Sequence, residues 1–333
     1  MRIAYDVTPL SHPRTGVGNY ILGALRGMAE IGGHDLVAFG PVSIRGQNLL
    51  DNALDGLAVE RRVVTVAFAH AVRRMWGAAQ WPPAERFLGK FDVLHFSDWM
   101  RPPQRSGIRA TMIHDLGPLH FPERLHPRTV RMHTVNAREA QRCDVVFVNS
   151  RYTAQDVQDT LRIAAERIHV AYPGVGSAFS PEGPRFEHDG PYVFTPATDE
   201  WRKNAETVRA ADLDLPLLTL ADVGYVDEQR LASLYRGASV FVYPSRFEGF
   251  GMPVVEAMAC GVACVVSSHP SLDDACGDAA VRVDPESAAS IADGVREALA
   301  RRSELVPRGL AHAGRFTWTE TGRVHLQGYA DAL

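Results

Sequence analysis

Short apolar runs recur along the chain, each followed by a polar or amphipathic stretch long enough for a helix. The runs Arg2–Asp6, Asp35–Phe39, Val63–Ala67, Val93–Phe96, Arg109–Ile113, Val145–Val148 and Ile168–Ala171 read as strands. They resume at Pro191–Ala197, Leu215–Leu220, Val240–Tyr243, Val262–Ser267 and Val281–Asp284. Helical patterns fill the gaps, among them Ile21–Ile31, Asp227–Tyr235 and Ala288–Ala300, and Ser150 is placed to cap the helix after Val145–Val148. Continuous apolar strands alternating with helices predict α/β architecture, with parallel doubly wound sheets covered on both faces.

One stretch breaks the rhythm. Ser177–Gly190 is rich in proline, glycine and charge and has no period, so it reads as an interdomain linker. The expected division is a first domain over 1–176, a linker over 177–190 and a second domain over 191–315. Phe316-Thr317-Trp318 leads a last helix over about 316–333.

Composition narrows the class. The chain has 333 residues, 46% of them hydrophobic, with a net charge of −4 and a sequence pI near 6.4. That balance gives no pull toward nucleic acid. Met1–Asp6 reads as a strand start and not as a secretory leader, and no run reaches transmembrane length. A cytoplasmic protein is expected, with a peripheral contact at the inner face of a membrane left open. The cysteines Cys143, Cys260, Cys264 and Cys276 lack paired ligand spacing and read as small buried apolar residues.

Candidate chemistry concentrates in Ser239–Gly261. A strand ends at Pro244, a loop carries Gly249 and Gly251, and Pro253 suits the first turn of a helix that stops at Gly261. A strand, a glycine-bearing loop and a helix N-terminus make an anion site. Glu248 in the loop and Glu256 a turn into the helix add two carboxylates, each able to accept hydrogen bonds from a pair of hydroxyls. Phosphate and hydroxyls together describe a sugar nucleotide. The plainer reading makes Glu248 a solvated loop residue and Glu256 a partner of the helix dipole.

Other residues lie where strands give way to helices. Gly16 and Gly18 stand at a helix entry and serve a tight turn or the close approach of a diphosphate, without completing a dinucleotide fingerprint. His114 and Asp115 end a strand, where an imidazole can bond a hydroxyl or move a proton. His120 and His126 sit in a proline-punctuated stretch read as a mobile loop. Arg202 and Lys203, before Asn204, suit a diphosphate. Arg61, Arg62, Arg73, Arg74 and Arg86 surround Trp76, Trp81 and Phe87. A solvated helix face is the favoured reading of that group, and an acceptor or membrane patch the sharper one.

The segment Glu248-Gly-Phe-Gly-Met-Pro-Val-Val-Glu256 resembles the signature of retaining GT-B fold glycosyltransferases of family four, the group 1, mannosyltransferase-like enzymes. The likeness covers nearly the whole chain and is strongest over Ala238–Arg282. Gly16 and Gly18, His114-Asp115 and Arg202-Lys203-Asn204 match further family elements. The resemblance implies two Rossmann-like domains facing across a cleft, with the terminal helix crossing back to the first. It implies transfer of a hexosyl group, with retention and without a metal or other cofactor, from a nucleotide-diphosphate sugar (GDP-mannose or a UDP-sugar) to a hydroxyl of a glycan, lipid or small molecule. Arg202 and Lys203 would neutralise the leaving diphosphate, and Glu248 would hold the transferred sugar. His114 would touch the sugar or phosphate, and Glu256 the ribose. The backbone at Phe250, Gly251 and Met252 would line the donor pocket, and Gly16 and Gly18 would admit the donor closely. A non-catalytic sugar-nucleotide-binding relic or regulator, or an epimerase of the same fold, is the alternative. A phosphorylase is disfavoured because Lys203, the second domain's only lysine, sits in the phosphate motif.

The chain departs from that pattern between Asn204 and Gly224, where about forty residues are wanting for another strand–helix unit. A true deletion there is expected to cripple the sheet, so the expectation is a segment missing from the sequence.

Overall fold

The computed structural model describes every residue except Tyr225, and of Met75 the backbone only. The chain forms two compact units, Met1–Gly174 with Trp318–Leu333, and Val175–Thr317.

The first unit holds β1 (Arg2–Asp6), β2 (Asp35–Val42), β3 (Glu60–Thr65), β4 (Val93–Phe96), β5 (Ile108–Ile113), β6 (Val145–Val148) and β7 (Ile168–Val170). They pair in parallel in the order β3-β2-β1-β4-β5-β6-β7. The central strands are buried on both faces, which is why they read as unbroken apolar runs. At the edge, β3 begins at Glu60, three residues before its apolar run, because its outer side meets solvent. The first helix, Gly16–Ile31, starts five residues before its apolar pattern, where the Thr15 hydroxyl accepts the Gly18 N–H at 3.3 Å. Ser150 caps Arg151–Leu161 as expected, through the Thr153 N–H. The stretch around His120 and His126, expected as a loop, is mostly helical, with turns at Gly117–His120 and Pro122–Arg124 and a helix over Pro127–Ala140.

The second unit holds β8 (Val193–Thr195), β9 (Leu217–Thr219), β10 (Val240–Tyr243), β11 (Ala263–Ser267) and β12 (Ala280–Val283), all parallel, in the order β12-β11-β10-β8-β9. The sheet forms across the short 204–224 interval, with helix Ala205–Arg209, strand β9 at the sheet edge and a turn of helix at Leu220–Val223 closed by a Thr219–Asp222 capping box. One strand–helix unit fewer leaves the core of Val193, Val208, Val240, Val265, Val281 and Ile291 intact. The 177–190 stretch is tied to the second unit, where buried Arg236 donates to the carbonyls of Ala178, Ser180 and Pro184 and Phe179 is buried. The helix Arg302–Ala313, with Pro307 inside it, has no counterpart in the pattern reading, since an internal proline argues against a helix.

The terminal helix, Trp318–Asp331, belongs to the first unit, where it packs on Gly16–Ile31. Gly23 lies under the Trp318 indole, and Gly27 and Gly322 bring the two backbones together, so that a Cβ at any of the three would collide with its neighbour. A buried polar chain fixes the contact. The Tyr329 hydroxyl meets His95 Nδ1 at 2.7 Å and His325 Nδ1 at 3.2 Å, and His325 Nε2 meets the Tyr20 hydroxyl at 3.0 Å.

Candidate active site

In the second unit, β8, β10 and β11 are sheet neighbours, so the loops at their carboxyl ends are neighbours too. The loop after β8 carries Arg202 and Lys203. Asn204 pins it, adopting φ 59° and donating from Nδ2 to the Pro244 and Pro285 carbonyls at 3.1 and 2.7 Å. The Arg246 N–H donates to the Arg202 carbonyl at 2.9 Å, which ties this loop to the one after β10.

These ties bring Glu248 between both cations. Its Oε1 accepts from Lys203 Nζ at 2.7 Å and from the Tyr243 hydroxyl at 2.8 Å, and its Oε2 accepts from Arg202 at 3.1 Å. Its N–H donates to Ser271 Oγ at 3.1 Å, in the loop after β11. Only 6% of Glu248 is exposed. Burial works to raise its pKa, but Lys203 and Arg202 outweigh burial and hold the carboxyl below its ordinary range. The same contacts keep the Lys203 ammonium charged against its own burial, and burial pushes the Tyr243 phenol up to about 12.

Gly251 takes φ 100° immediately before the helix Met252–Ala259, with Leu272 packed where a Cβ would stand. Phe250 is buried edge-on against Phe316 at 5.3 Å. Glu256 lies on the helix and accepts from the Tyr235 hydroxyl at 3.2 Å. Burial without a cation raises its carboxyl to about 7. The two carboxylates are therefore unlike, one held ionised and the other poised near neutrality.

In the first unit, His114 directly follows β5 and stands edge-on to the Tyr20 ring at 5.3 Å. Burial lowers its pKa to about 4 against the opposing pull of Asp115, so the ring is neutral at pH 7. Asp115 accepts the Gly117 N–H at 2.9 Å. His114 and Asp115 border an open pocket of about 710 Å³ that Val17, Asp98, His133 and Asn136 also line. Gly16 opens the first helix with no protein atom near the place of a Cβ, while Gly18 meets only ordinary contacts.

Sequence reasoning missed Tyr243, Ser271, Tyr235 and Asp98. Tyr243 ends the strand five residues before Glu248, a spacing that could have marked it. Ser271, Tyr235 and Asp98 reach their places through sheet order and carry no local signal. Among the described residues no cluster could hold a metal ion, and all four cysteines are buried thiols.

With this geometry in hand, comparison with known proteins is specific. Residues 14–178 match the family model described as Glycosyltransferase Family 4, and residues 222–308 match the one described as Glycosyl transferases group 1. The O-antigen chain mannosyltransferase B of Escherichia coli is 26% identical over 391 aligned positions, covering 99% of each chain. That alignment is longer than the 333 residues present here, so the relative carries internal residues that this chain lacks. The serotype-specific mannosyltransferase WbdA of the same organism is 27% identical over 66% of this chain and 33% of its own length. Among solved structures, the sucrose-phosphate synthase of Thermosynechococcus elongatus superposes with a TM-score of 0.72 at 17% identity, covering 99% and 98% of the two chains. The fold is that of the GT-B glycosyltransferases.

Proposed function

We infer that this chain, which belongs to the glycosyltransferases of family four and group 1, moves a hexosyl group from a nucleotide-diphosphate sugar to an acceptor hydroxyl, with retention of anomeric configuration and without a metal. A mannosyl group is the first candidate, after the mannosyltransferase relatives, and GDP-mannose or a UDP-sugar is the donor. The acceptor is a glycan, a lipid or a small molecule.

The observation that carries this reading is the buried, ionised Glu248 between Lys203 and Arg202 at the carboxyl edge of a parallel sheet. In the transfer, the bond from the anomeric carbon to the diphosphate oxygen breaks, and that oxygen takes the electron pair. Lys203 and Arg202 stabilise the charge that grows there. Glu248 accepts hydroxyls of the transferred sugar. The acceptor oxygen bonds to the anomeric carbon on the face the diphosphate leaves, and its proton passes to the departing phosphate. Glu256 accepts the ribose hydroxyls, and the backbone at Phe250, Gly251 and Met252 borders the nucleotide. Gly16 and Gly18 leave room for the diphosphate. His114, neutral, donates or accepts a hydrogen bond at the sugar.

The test is a thermal-shift screen with UDP-, GDP- and dTDP-sugars, followed by an assay of nucleoside diphosphate release. A folded-state ligand raises the melting temperature by mass action. A stabilising donor that is also turned over, by hydrolysis or transfer, supports the reading. A donor that binds tightly and is never turned over makes the protein a binding relic.

A further inference from the structure

Large apolar side chains lie open along one part of the first unit. Phe68 is 78% exposed and Trp81 63%, with Val64 and Phe87 at 47% each. Val64, Trp81 and Phe87 line one groove of about 680 Å³ with Phe39, Val72 and Trp76, and its walls are almost wholly apolar. Phe68 caps the helix Ala69–Ala79 that supplies Val72 and Trp76. Ile44, 68% exposed, opens the helix Ile44–Ala53, which Gln47 ties to the end of β3 through the Thr65 hydroxyl at 2.6 Å. Isolated exposed apolar residues need no explanation, but a grouped set around an apolar groove marks a contact surface.

The charge of this region runs against the rest of the chain. Residues 44–90 hold seven cations and four carboxylates, while the whole chain has a net charge of −4. Three of the carboxylates are engaged within the protein. Asp51 bonds Arg61, Glu60 bonds Arg2 and Arg62, and Glu85 accepts the N–H groups of Arg105 and Ser106. Arg45, Arg74, Arg86 and Lys90 are exposed cations, and Arg62 stands on the groove's lip. Apolar and aromatic groups among cations complement a bilayer with anionic headgroups, which offers hydrocarbon below and negative charge above.

We propose that this face, built from Phe68, Trp81, Phe87 and Val64 with Arg62 and Arg86, docks the protein onto an anionic lipid bilayer. No helix among the described residues is long and apolar enough to cross a membrane, so the attachment is peripheral. Trp81 and Phe68 enter the headgroup–acyl boundary, and the arginines remain at the headgroups. A second copy of the chain is the competing occupant, since β3 is a sheet edge. The cations Arg61 and Arg62 on β3 disfavour strand pairing between copies.

The experiment is co-sedimentation of the full chain with vesicles of phosphatidylcholine alone, and of phosphatidylcholine with about one part in four of phosphatidylglycerol. Binding to the anionic vesicles is expected, weakened by salt, and reduced at least about tenfold in the Phe68→Ser, Trp81→Ser double variant. Arg62→Glu with Arg86→Glu should give a similar loss. All four side chains are exposed, and an unchanged melting temperature checks that each variant folds. Equal partitioning of wild type and variants, or none by the wild type, overturns the proposal. A concentration-dependent dimer that the serine variant abolishes, without vesicle binding, also overturns it and assigns the face to a second copy. The glycosyltransferase reading is tested separately by donor turnover, which does not depend on vesicles.

Discussion

Lys203 and Glu248, forty-five residues apart in sequence, form an ion pair of 2.7 Å at the carboxyl edge of the second sheet. Arg202 closes on the other carboxylate oxygen at 3.1 Å. The pair removes the plainer reading of Glu248 as a solvated loop residue. It also makes the carboxylate and the cations one unit, so that disturbing either side disturbs the other.

Lys203→Ala is expected to lower the single-turnover transfer rate more than it weakens donor binding, because charge on the leaving diphosphate grows toward the transition state. It should also cost about 1.5–3 kcal/mol of stability, the range for hydrogen bonds to charged groups. Glu248 has a depressed pKa, so it stabilises the fold above its unfolded value of 4.5, and that contribution is lost as pH falls through the lower folded value. Urea titrations should show a flatter acid limb in Glu248→Gln. An unchanged acid limb would mean the pair adds nothing to folding.

Glu256 carries the opposite sign. Its pKa rises from 4.5 to about 7, so the native state holds a proton that the unfolded chain has lost between those values. Its contribution to stability therefore falls as pH rises from about 4.5 to about 7, by about 3 kcal/mol in total. Relative to wild type, Glu256→Gln should gain stability at pH 8 over pH 5. If the ionised form holds ribose hydroxyls, nucleotide affinity should rise between pH 6 and pH 8 in wild type and stay flat in the variant. Glu256→Ala should weaken the free nucleotide by about 1.5–3 kcal/mol in calorimetry. Equal affinity in both proteins would leave Glu256 a helix-dipole partner.

The sequence made much of this site readable because its parts are local. Val240–Tyr243 is apolar at every position, Gly251 has to adopt a positive φ before Pro253, and the two glutamates ride on that frame. What could not be read depends on sheet order. Nothing near Ser271 announces that β11 will lie beside β10 and present its hydroxyl to the Glu248 N–H. Across the 204–224 interval family spacing argues for a missing strand–helix unit, and the aligned relative does carry internal residues that this chain lacks; the five-stranded sheet forms with β9 at the edge beside β8. The 177–190 stretch has linker composition, and Arg236, far from it in sequence, anchors its carbonyls.

Turnover is expected to persist in EDTA. In the proposed reaction Arg202 and Lys203 supply the positive charge that a divalent ion would otherwise bring to a diphosphate. The assay is nucleoside diphosphate release before and after chelation. A loss restored by magnesium or manganese would overturn the metal-free part of the proposal.

Gly27→Ala tests the terminal helix. The added methyl meets the Trp318 carbonyl, a backbone atom that cannot turn aside. A cost of about 3 kcal/mol is expected, the upper end for overpacking. Loss of protection at Thr321–Tyr329 in hydrogen exchange should accompany it, since that stretch includes Gly322, whose backbone packs directly on Gly27. Gly16→Ala, at the start of the same helix with open space around it and no positive φ, provides the control for the collision.

His114 offers the sharpest division between binding and chemistry. Its ring is neutral at pH 7 because burial lowers the pKa to about 4. The pH dependence of turnover should therefore show no inflection from His114 between pH 5 and pH 8. Its effect on stability has the sign of a buried neutral base. The unfolded imidazole takes up a proton below its ordinary value of 6.5 and the native one does not until about 4, so stability is lost as pH falls across that window. His114→Ala should reduce that slope. It should also lower single-turnover transfer while sparing affinity for the bare nucleotide, which is proposed to bind the second unit. His114→Gln keeps a neutral hydrogen-bonding group and should recover part of the rate, an outcome that ring packing against Tyr20 alone would not produce. Full transfer activity in His114→Ala would return the residue to core packing. A large loss of nucleotide affinity in the same variant would instead move the nucleotide to the first unit and reverse the assignment of the two halves of the chain.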